Sequence, residues 1–211
     1  MLRTGKEFLE SLRDGRRIYI GSELVEDVTT HPAFRNAAKT FAMIFDRKAA
    51  PENRDMMTFE EDGERFSTYY LMPKPVEDLV KRMETHRRIA AWTYGLLGRS
   101  PDHVSSFVTG LAMRPEMFDR IRHGFGANIV NYYKYMRADD VCATYTVLPP
   151  QGSREPELFE REGRKVPTLR VTDEDDKGVT LNGMKILGTS AVFCNETWVG
   201  NLLPLAPGQE K

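Results

Sequence analysis

The sequence predicts an α+β protein in which a mainly helical region, residues 1–139, precedes a β-rich region, residues 140–211. In the first region, apolar residues recur with the 3.6-residue period of a helix. In the second, short runs of β-branched and aromatic residues are separated by turn signals. This order of elements is typical of an α+β fold rather than of alternating βα units.

Three stretches of the first region have the helical period. Thr30 and Pro32 are typical of a helix start. The second helix is predicted to begin near Pro75 and to end near Gly98, and the third to be one long helix. Their predicted apolar faces are Phe34, Ala37, Ala38, Phe41, Ile44 and Phe45; Leu79, Met83, His86, Ala90, Thr93 and Leu97; and Met117, Ile121, Phe125, Ile129, Tyr132 and Met136.

Strand signals predict two hairpins. Residues 56–59 and 66–70 flank one turn, and Asn182-Gly183 between two apolar runs is a strong short-range signal for the other. Residues 141–148 are predicted to form a strand that two prolines end. Because the β region offers only four or five strands, we expect uncovered strand edges and therefore further sequence or a partner chain.

Charge and hydropathy exclude several classes of protein. The 211 residues carry 30 basic and 31 acidic side chains, whereas nucleic-acid-binding proteins usually have a basic excess on one face. No apolar run reaches the roughly 20 residues needed to cross a bilayer, and the amino terminus lacks a signal-peptide core. We therefore expect a cytoplasmic protein that binds neither nucleic acid nor a membrane.

Cysteines and histidines provide no metal-binding pattern, and no metal site is predicted. Cys142 and Cys194 lie in apolar, strand-like stretches. A disulfide is one interpretation, and two buried, reduced thiols are the one that general usage favours. His86, on the predicted face of the second helix, is expected to be a packing residue rather than a catalytic one.

Residues 98–103 join two predicted helices, with Ser100 as the expected cap of the second and Pro101 in its first turn. Arg99 and His103 would then lie at a helix amino terminus, where free amides and the helix dipole attract anions. This pair would suit a phenolate, carboxylate or phosphate. The alternative is an ordinary capped turn in which Arg99 pairs with a surface carboxylate, and the spacing leaves both interpretations open.

The same segment also resembles part of a known family. It is one of four blocks that agree in order and spacing with the oxygenase component of the 4-hydroxyphenylacetate 3-hydroxylase family. These blocks are residues 4–5 (TG) with 12–16 (LRDGR) and 27–36 (DVTTHPAFRN), residues 98–103 (GRSPDH), residues 144–151 (TYTVLPPQ) and residues 183–190 (GMKILGTS). The resemblance extends over essentially the whole chain.

This resemblance implies a fold similar to that of acyl-CoA dehydrogenases: an amino-terminal helical domain, a central antiparallel β barrel and a carboxy-terminal helical bundle. Residues 1–139 would be the helical domain, and residues 140–211 the first part of the barrel. The bundle, which builds a homotetramer in the family, would be lacking. The sequence would then be a truncated reading frame, an expressed fragment or one half of a split enzyme.

For activity, the resemblance implies an aromatic monooxygenase that uses reduced FAD (FADH2) and molecular oxygen. A separate NAD(P)H-dependent flavin reductase would deliver the reduced flavin. A phenolic substrate would be hydroxylated ortho to its hydroxyl group through a flavin C4a-hydroperoxide. The protein's tasks would be to exclude water and to favour the phenolate.

Carried over by position, Arg99 would hold the phenolic oxygen, and His103 would be its hydrogen-bonding partner or base. Thr144 stands where the hydroxyphenylacetate enzymes have a histidine that touches flavin and substrate. A threonine can hydrogen-bond the flavin but cannot act as a base at neutral pH, which argues against 4-hydroxyphenylacetate itself as the substrate. The flavin-contact candidates are Thr144, Thr146, Gln151, Gly152, Ser153 and Thr189.

Two alternatives remain. One is an enzyme similar to 4-hydroxybutyryl-CoA dehydratase, which combines FAD with a [4Fe–4S] cluster, although two cysteines are few for cluster ligation. The other is an inactive binding or assembly subunit that needs a second chain. Whether the chain is part of a monooxygenase or an inactive subunit, we expect the 211 residues alone not to turn over a phenol.

Overall fold

The computed structural model describes residues 2–164 and 166–200. Its helices are α1 (Gly5–Ser11), α2 (Arg35–Ala49), α3 (Arg54–Met57), α4 (Val76–Trp92), α5 (Asp102–Ala112), α6 (Glu116–Asp119), α7 (Phe125–Ala138) and α8 (Pro156–Arg161). Its strands are β1 (Ile18–Ile20), β2 (Glu23–Val25), β3 (Thr58–Glu61), β4 (Glu64–Ser67), β5 (Ala143–Thr146), β6 (Arg170–Asp175), β7 (Gly178–Asn182) and β8 (Glu196–Val199). No described helix is long and apolar enough to cross a membrane.

The described chain divides into two compact units. The first contains residues 2–144 and 190–196, and the second contains the described residues of 145–189 and 197–200. Four two-stranded sheets are present in the described ranges: β1 with β2, β3 with β4, β5 with β8, and β6 with β7. The mixture of helices and strands agrees with the predicted fold class, but these sheets do not form a closed barrel within the described residues.

The core of the first unit forms where α1 packs on α2. Phe8 stacks on Phe45 with ring centroids 4.6 Å apart, and Phe41 lies 6.0 Å from Phe8. A Cβ on Gly5 would lie 2.5 Å from the carbonyl oxygen of Ala42, so this close helix contact requires glycine. The same cluster includes Leu12, Val25, Val28, Ala38, Cys142, Phe193 and Cys194.

Helix α2 buries most of its predicted apolar face, including Phe41, Ile44 and Phe45, which confirms the helical period. Its start was predicted wrongly, since α2 begins at Arg35 and has no side-chain cap. Thr30 lies in the preceding turn, where its hydroxyl donates to a backbone carbonyl 3.3 Å away. This turn connects the end of β2 at Val25 to the start of α2 at Arg35.

The first predicted hairpin is confirmed. β3 and β4 pair antiparallel, with Phe59 opposite Phe66. The turn between them contains Asp62 and Gly63, both with positive φ. Aspartate and glycine tolerate this left-handed backbone better than other residues.

Helix α4 begins directly after Pro75, as predicted, but ends at Trp92 rather than near Gly98. The chain turns left-handed at Tyr94 and Gly95, and the Gly95 amide donates to the carbonyl of Ala90 at 2.8 Å. This six-to-one bond is typical of a Schellman ending.

The predicted apolar face of α4 is wrong. Leu79 and Met83 are 55% and 57% exposed, whereas Thr85 and Ile89 are buried. The packed face is partly polar because it satisfies carbonyls beneath it: the Thr85 hydroxyl donates to Met56 O at 3.0 Å. Long basic side chains contribute in the same way, through their aliphatic stems and terminal donors.

The third predicted helix is broken in two. α6 ends at Asp119, and α7 starts after Gly124, which has a φ of 91°. The Asp119 carboxylate accepts the amides of Gly124 and Gly126, at 3.0 and 2.9 Å. This break leaves Ile121 78% exposed, while Ile129 on α7 is buried.

The second predicted hairpin is also wrong. The turn joining β6 to β7 lies after Asp175, whose carboxylate accepts the amides of Lys177 and Gly178 at 2.8 and 3.1 Å. Asn182-Gly183 therefore follows the hairpin instead of forming its turn. Beyond it, the amide of Ile186 donates to Leu148 O at 2.9 Å, so this run pairs with the segment after β5.

Candidate active site

The α4–α5 connection brings together the residues of the GRSPDH segment. Leu97 packs against the apolar core of the first unit, which anchors the middle of the connection. α5 begins at Asp102, one residue later than predicted, with Pro101 instead of Ser100 at the cap position. Ser100 does not cap the helix amides; its hydroxyl instead contacts the carboxylate of Asp102.

Arg99 and His103 lie on either side of this helix start. Arg99 is partly buried and His103 is exposed on the first turn of α5. Burial lowers the pKa of His103, the charge of Arg99 lowers it further, and Asp102 partly opposes both. His103 is therefore held towards its neutral form, in which an imidazole can accept a proton.

Asp102 is buried and uses both carboxylate oxygens. Oδ1 accepts the hydroxyl of Ser100, and Oδ2 contacts Nδ1 of His86. Burial would raise the pKa of Asp102, but the bonds from His86 and Ser100 outweigh it, so the pKa lies below its usual range. The carboxylate is thus kept ionised next to the candidate anion site.

The prediction for His86 is corrected by this contact. Its side chain is 44% exposed and partnered by an acid, rather than packed in an apolar seam. Sequence reasoning missed the pair because His86 and Asp102 lie on two different helices. No local sequence signal identifies such a contact.

Four of the flavin-contact candidates lie around the end of β5 and in the turn after it, and belong to the second unit. The Thr146 hydroxyl donates to Ile186 O at 3.4 Å. Gln151, Gly152 and Ser153 form a 3₁₀ turn, in which a Cβ on Gly152 would lie 2.7 Å from the ring of Phe159. The Ser153 hydroxyl oxygen is buried and has no hydrogen-bond partner among the residues that the structure describes.

Thr189, the fifth candidate of this unit, lies in a tight turn. Its amide donates to Leu187 O at 3.0 Å, and Leu187 and Ser190 both have positive φ. A bridge between Leu148 and Ile186 brings residues 144–151 and 183–190 together.

Thr144 is buried on β5 and belongs to the first unit, as do Arg99 and His103. The structure therefore divides the candidates: these three in one unit, and the remaining five flavin candidates in the other. The roles of all eight residues remain proposals.

A buried ion pair near β5 was not predicted. Lys48 on α2 contacts the carboxylate of Asp140, which has a positive φ. The amide of Arg3 donates to the same carboxylate at 3.1 Å, and the Tyr70 hydroxyl donates to Val141 O at 2.8 Å. Together, these contacts hold the chain directly before Thr144.

The two cysteines are buried free thiols with their sulfur atoms 3.6 Å apart. The bond from Cys194 and burial raise the pKa of Cys142 well above its usual range. Among residues 2–164 and 166–200, no group of three or more His, Cys, Asp or Glu side chains could hold a metal ion.

The sequence that builds this fold also matches a protein-family model. Residues 4–211 match the family model described as 4-hydroxyphenylacetate 3-hydroxylase N terminal. Because this match spans nearly the whole chain, the protein belongs to that family.

Individual relatives show the same similarity. The 4-hydroxyphenylacetate 3-monooxygenase oxygenase component of Geobacillus sp. (strain PA-9) is 31% identical over 198 residues, or 93% of this chain and 40% of the relative. The FADH(2)-dependent monooxygenase TftD of Burkholderia cepacia is 33% identical over 220 residues, or 99% of this chain and 42% of the relative.

A solved structure supports the same assignment of the fold. The crystal structure of the oxygenase component (HpaB) of 4-hydroxyphenylacetate 3-monooxygenase complexed with FAD superposes with a TM-score of 0.85 at 31% identity. The match covers 98% of this chain and 43% of that chain. The protein thus spans about two fifths of the length of the relatives it matches.

Proposed function

We propose that this chain is the amino-terminal part of an oxygenase that hydroxylates a phenolic substrate with reduced FAD and molecular oxygen. The single observation that carries the proposal is the pairing of Arg99 with a histidine of lowered pKa at the start of α5, in a chain of this family. A separate NAD(P)H-dependent flavin reductase is the proposed source of reduced FAD.

The residues present fit a flavin. The buried Ser153 hydroxyl lacks a partner among the described residues, and a buried polar group of this kind normally has one. The proposed contacts are Thr144, Thr146, Gln151, Gly152, Ser153 and Thr189. Reduced FAD, when bound, supplies the electrons with which oxygen is activated.

The chain's own groups would prepare the substrate. Arg99 would hold the phenolic oxygen and favour its negative charge, because a cation close to an acid stabilises the ionised form. His103, held towards its neutral form, would accept the phenolic proton. Thr144 replaces the histidine that the resemblance places there, so we propose a phenol other than 4-hydroxyphenylacetate as the substrate.

Four further features belong to the proposal. They are the division into residues 1–139 and 140–211, the completion of an antiparallel barrel, a homotetrameric assembly and a cytoplasmic location. Among the described residues, β6 and β7 pair only with each other and are exposed along their whole length, which supports the barrel completion.

Anaerobic titration of the chain with reduced and with oxidised FAD tests the proposal. We expect tighter binding of reduced FAD, because the flavin would arrive already reduced. Equal or reversed affinities, or a flavin that remains bound through purification and is reduced directly by NADH, would contradict it.

A further inference from the structure

The buried carboxylate of Asp102 links α4 to the connection that carries Arg99. Its two oxygens contact His86, in the middle of α4, and Ser100, which follows Arg99 directly. Asp102 itself lies in the first turn of α5, one residue before His103. A single acid therefore joins three parts of the chain that surround the proposed phenol site.

The connection has few other attachments. Tyr94 and Leu96 are 89% and 87% exposed, whereas Leu97 packs against the core and Pro101 is buried. The backbone bonds described for this segment are local, such as the Leu96 amide to Thr93 O at 2.9 Å. The position of the Arg99 side chain therefore depends strongly on how Asp102 is held.

Of the two side-chain partners described for Asp102, His86 lies outside the α4–α5 connection and Ser100 lies within it. Ser100 moves with the connection, so it cannot fix the connection to the rest of the unit. Without His86, the buried carboxylate would keep only donors from its own segment, which are the Ser100 hydroxyl and its own backbone amide. Because an ionised group that is buried with too few partners is unfavourable, the helix start would then shift towards water.

Other titratable groups also interact electrostatically with Asp102. Arg82, one turn before His86 on α4, feels its charge, as do Tyr69 from the turn before α4 and His103 on α5. None of these three makes a described hydrogen bond to the carboxylate. They interact with the charge of the carboxylate from a distance, whereas His86 and Ser100 contact it and determine its position.

We propose that His86 is a positioning residue for the phenol site: by holding Asp102, it fixes Arg99 and His103 in the geometry that binds a phenolate. The part of this inference that concerns phenolate binding rests on the proposed function. The structural part, that His86 orders the α4–α5 connection, can be measured without any substrate.

Hydrogen–deuterium exchange over residues 94–104 tests the structural part. His86→Leu removes the donor, whereas His86→Asn restores it, because the asparagine amide nitrogen lies close to the position of Nδ1. We expect only about fivefold faster exchange in His86→Leu, because the hydrogen bond between His86 and Asp102 is weakened by its partial exposure to solvent. In His86→Asn, we expect exchange near the wild-type rate. His123→Leu, at an exposed histidine between α6 and α7, is the matched control.

Two results would overturn the proposal. One is exchange in His86→Leu no faster than in His123→Leu, and the other is His86→Asn behaving like His86→Leu. Faster exchange along α2 as well would reveal general unfolding, so melting temperatures of all four proteins are measured in parallel. A specific role requires faster exchange at residues 94–104 while α2 stays protected.

Binding of 4-nitrophenol, followed by the absorbance of its phenolate, separates this inference from the proposed function. If the wild-type chain binds 4-nitrophenolate, we expect about fivefold weaker binding in His86→Leu and recovery in His86→Asn. Unchanged binding in His86→Leu would overturn the positioning role. If the wild type binds no phenol but exchange responds to His86→Leu, the proposed function fails while the ordering of the connection stands.

Discussion

Lys48 and Asp140 form an ion pair that is fully buried and joins α2 to the chain before β5. The ammonium also lies 4.2 Å from the ring centroid of Phe45 and 4.9 Å from that of Tyr69. Burial lowers the pKa of Lys48, although the charge of Asp140 opposes this. The pair connects positions 92 residues apart in sequence and thereby fixes the approach to Thr144.

Replacing Lys48 with methionine should destabilise the fold, because the carboxylate of Asp140 would remain buried without its main counter-charge. We expect a loss of about 3–5 kcal/mol in the free energy of unfolding, measured with urea. Lys39→Met, at an exposed position on the same helix, should change it by less than about 0.5 kcal/mol. Equal losses in the two variants would show that the pair contributes little.

Arg99→Ala should damage phenolate binding far more than stability. A partly exposed arginine usually contributes less than about 0.5 kcal/mol to folding, whereas a lost partner for a bound phenolate costs about 2 kcal/mol. Thermal melting and 4-nitrophenolate titration measure the two effects, with Arg88→Ala on α4 as control. An early-melting variant with unchanged binding would make Arg99 a structural residue.

Ser153→Ala should separate stability from flavin binding. The buried hydroxyl lacks a partner, so its removal should leave stability unchanged or raise it by about 1 kcal/mol. Reduced FAD should bind about tenfold more weakly if that hydroxyl is a flavin contact. Ser11→Ala is the control: its hydroxyl donates to Phe8 O at 2.7 Å, so stability should fall without an effect on flavin.

The Tyr135 phenol on α7, although 42% exposed, should ionise only at strongly alkaline pH. Burial and the hydrogen bond to Glu196, 2.9 Å long, raise the pKa of Tyr135 to about 12. Since this folded pKa lies above the unfolded value of about 10, the contribution to stability is complete below about pH 10 and is lost as the pH rises through about 12.

The phenolate absorbance difference between the wild type and Tyr135→Phe measures this titration. We expect a midpoint near pH 12 in the wild type. Glu196→Gln should lower the midpoint without abolishing the shift, because burial is its largest cause. A wild-type midpoint near that of free tyrosine, about 10, would contradict the described contact.

A polypeptide of these 211 residues alone should not hydroxylate a phenol. Its α4 exposes Val76, Leu79, Val80 and Met83, an apolar face that favours self-association. A site open to water should release hydrogen peroxide instead of oxygenating the substrate. The chain with a flavin reductase, NADH and a panel of phenols tests this, and stoichiometric catechol formation would contradict it.

Periodicity predicted the fold best where one face of an element is purely apolar. The face of α2 with Phe41, Ile44 and Phe45 was predicted correctly for this reason, as was the hairpin around Asp62-Gly63. Helix α4 was not, because its buried face includes Thr85 and basic side chains that bond to carbonyls. The Asn182-Gly183 signal failed because the Asp175 carboxylate stabilises a turn a few residues earlier.

For the candidate site, the sequence predicted a helix start beside Arg99 and His103 but not the contacts that hold it. The start of α5 and its neighbours Arg99 and His103 follow from the Ser-Pro-Asp start signal. The contacts of Asp102 with His86 and of Asp140 with Lys48 could not be predicted, since each joins residues far apart in sequence.

The bonds of Arg3 have a consequence for the order in which the chain can fold during synthesis. Its guanidinium donates to Ser11, to the Asp140 carbonyl and, at 2.8 Å, to Asn195. The last of these partners is translated 192 residues after Arg3. Until Asn195 has been made, α1 can be held only by contacts with earlier residues, such as the stacking of Phe8 on Phe45 and the bond from the Gly5 amide to Asp46 at 2.7 Å.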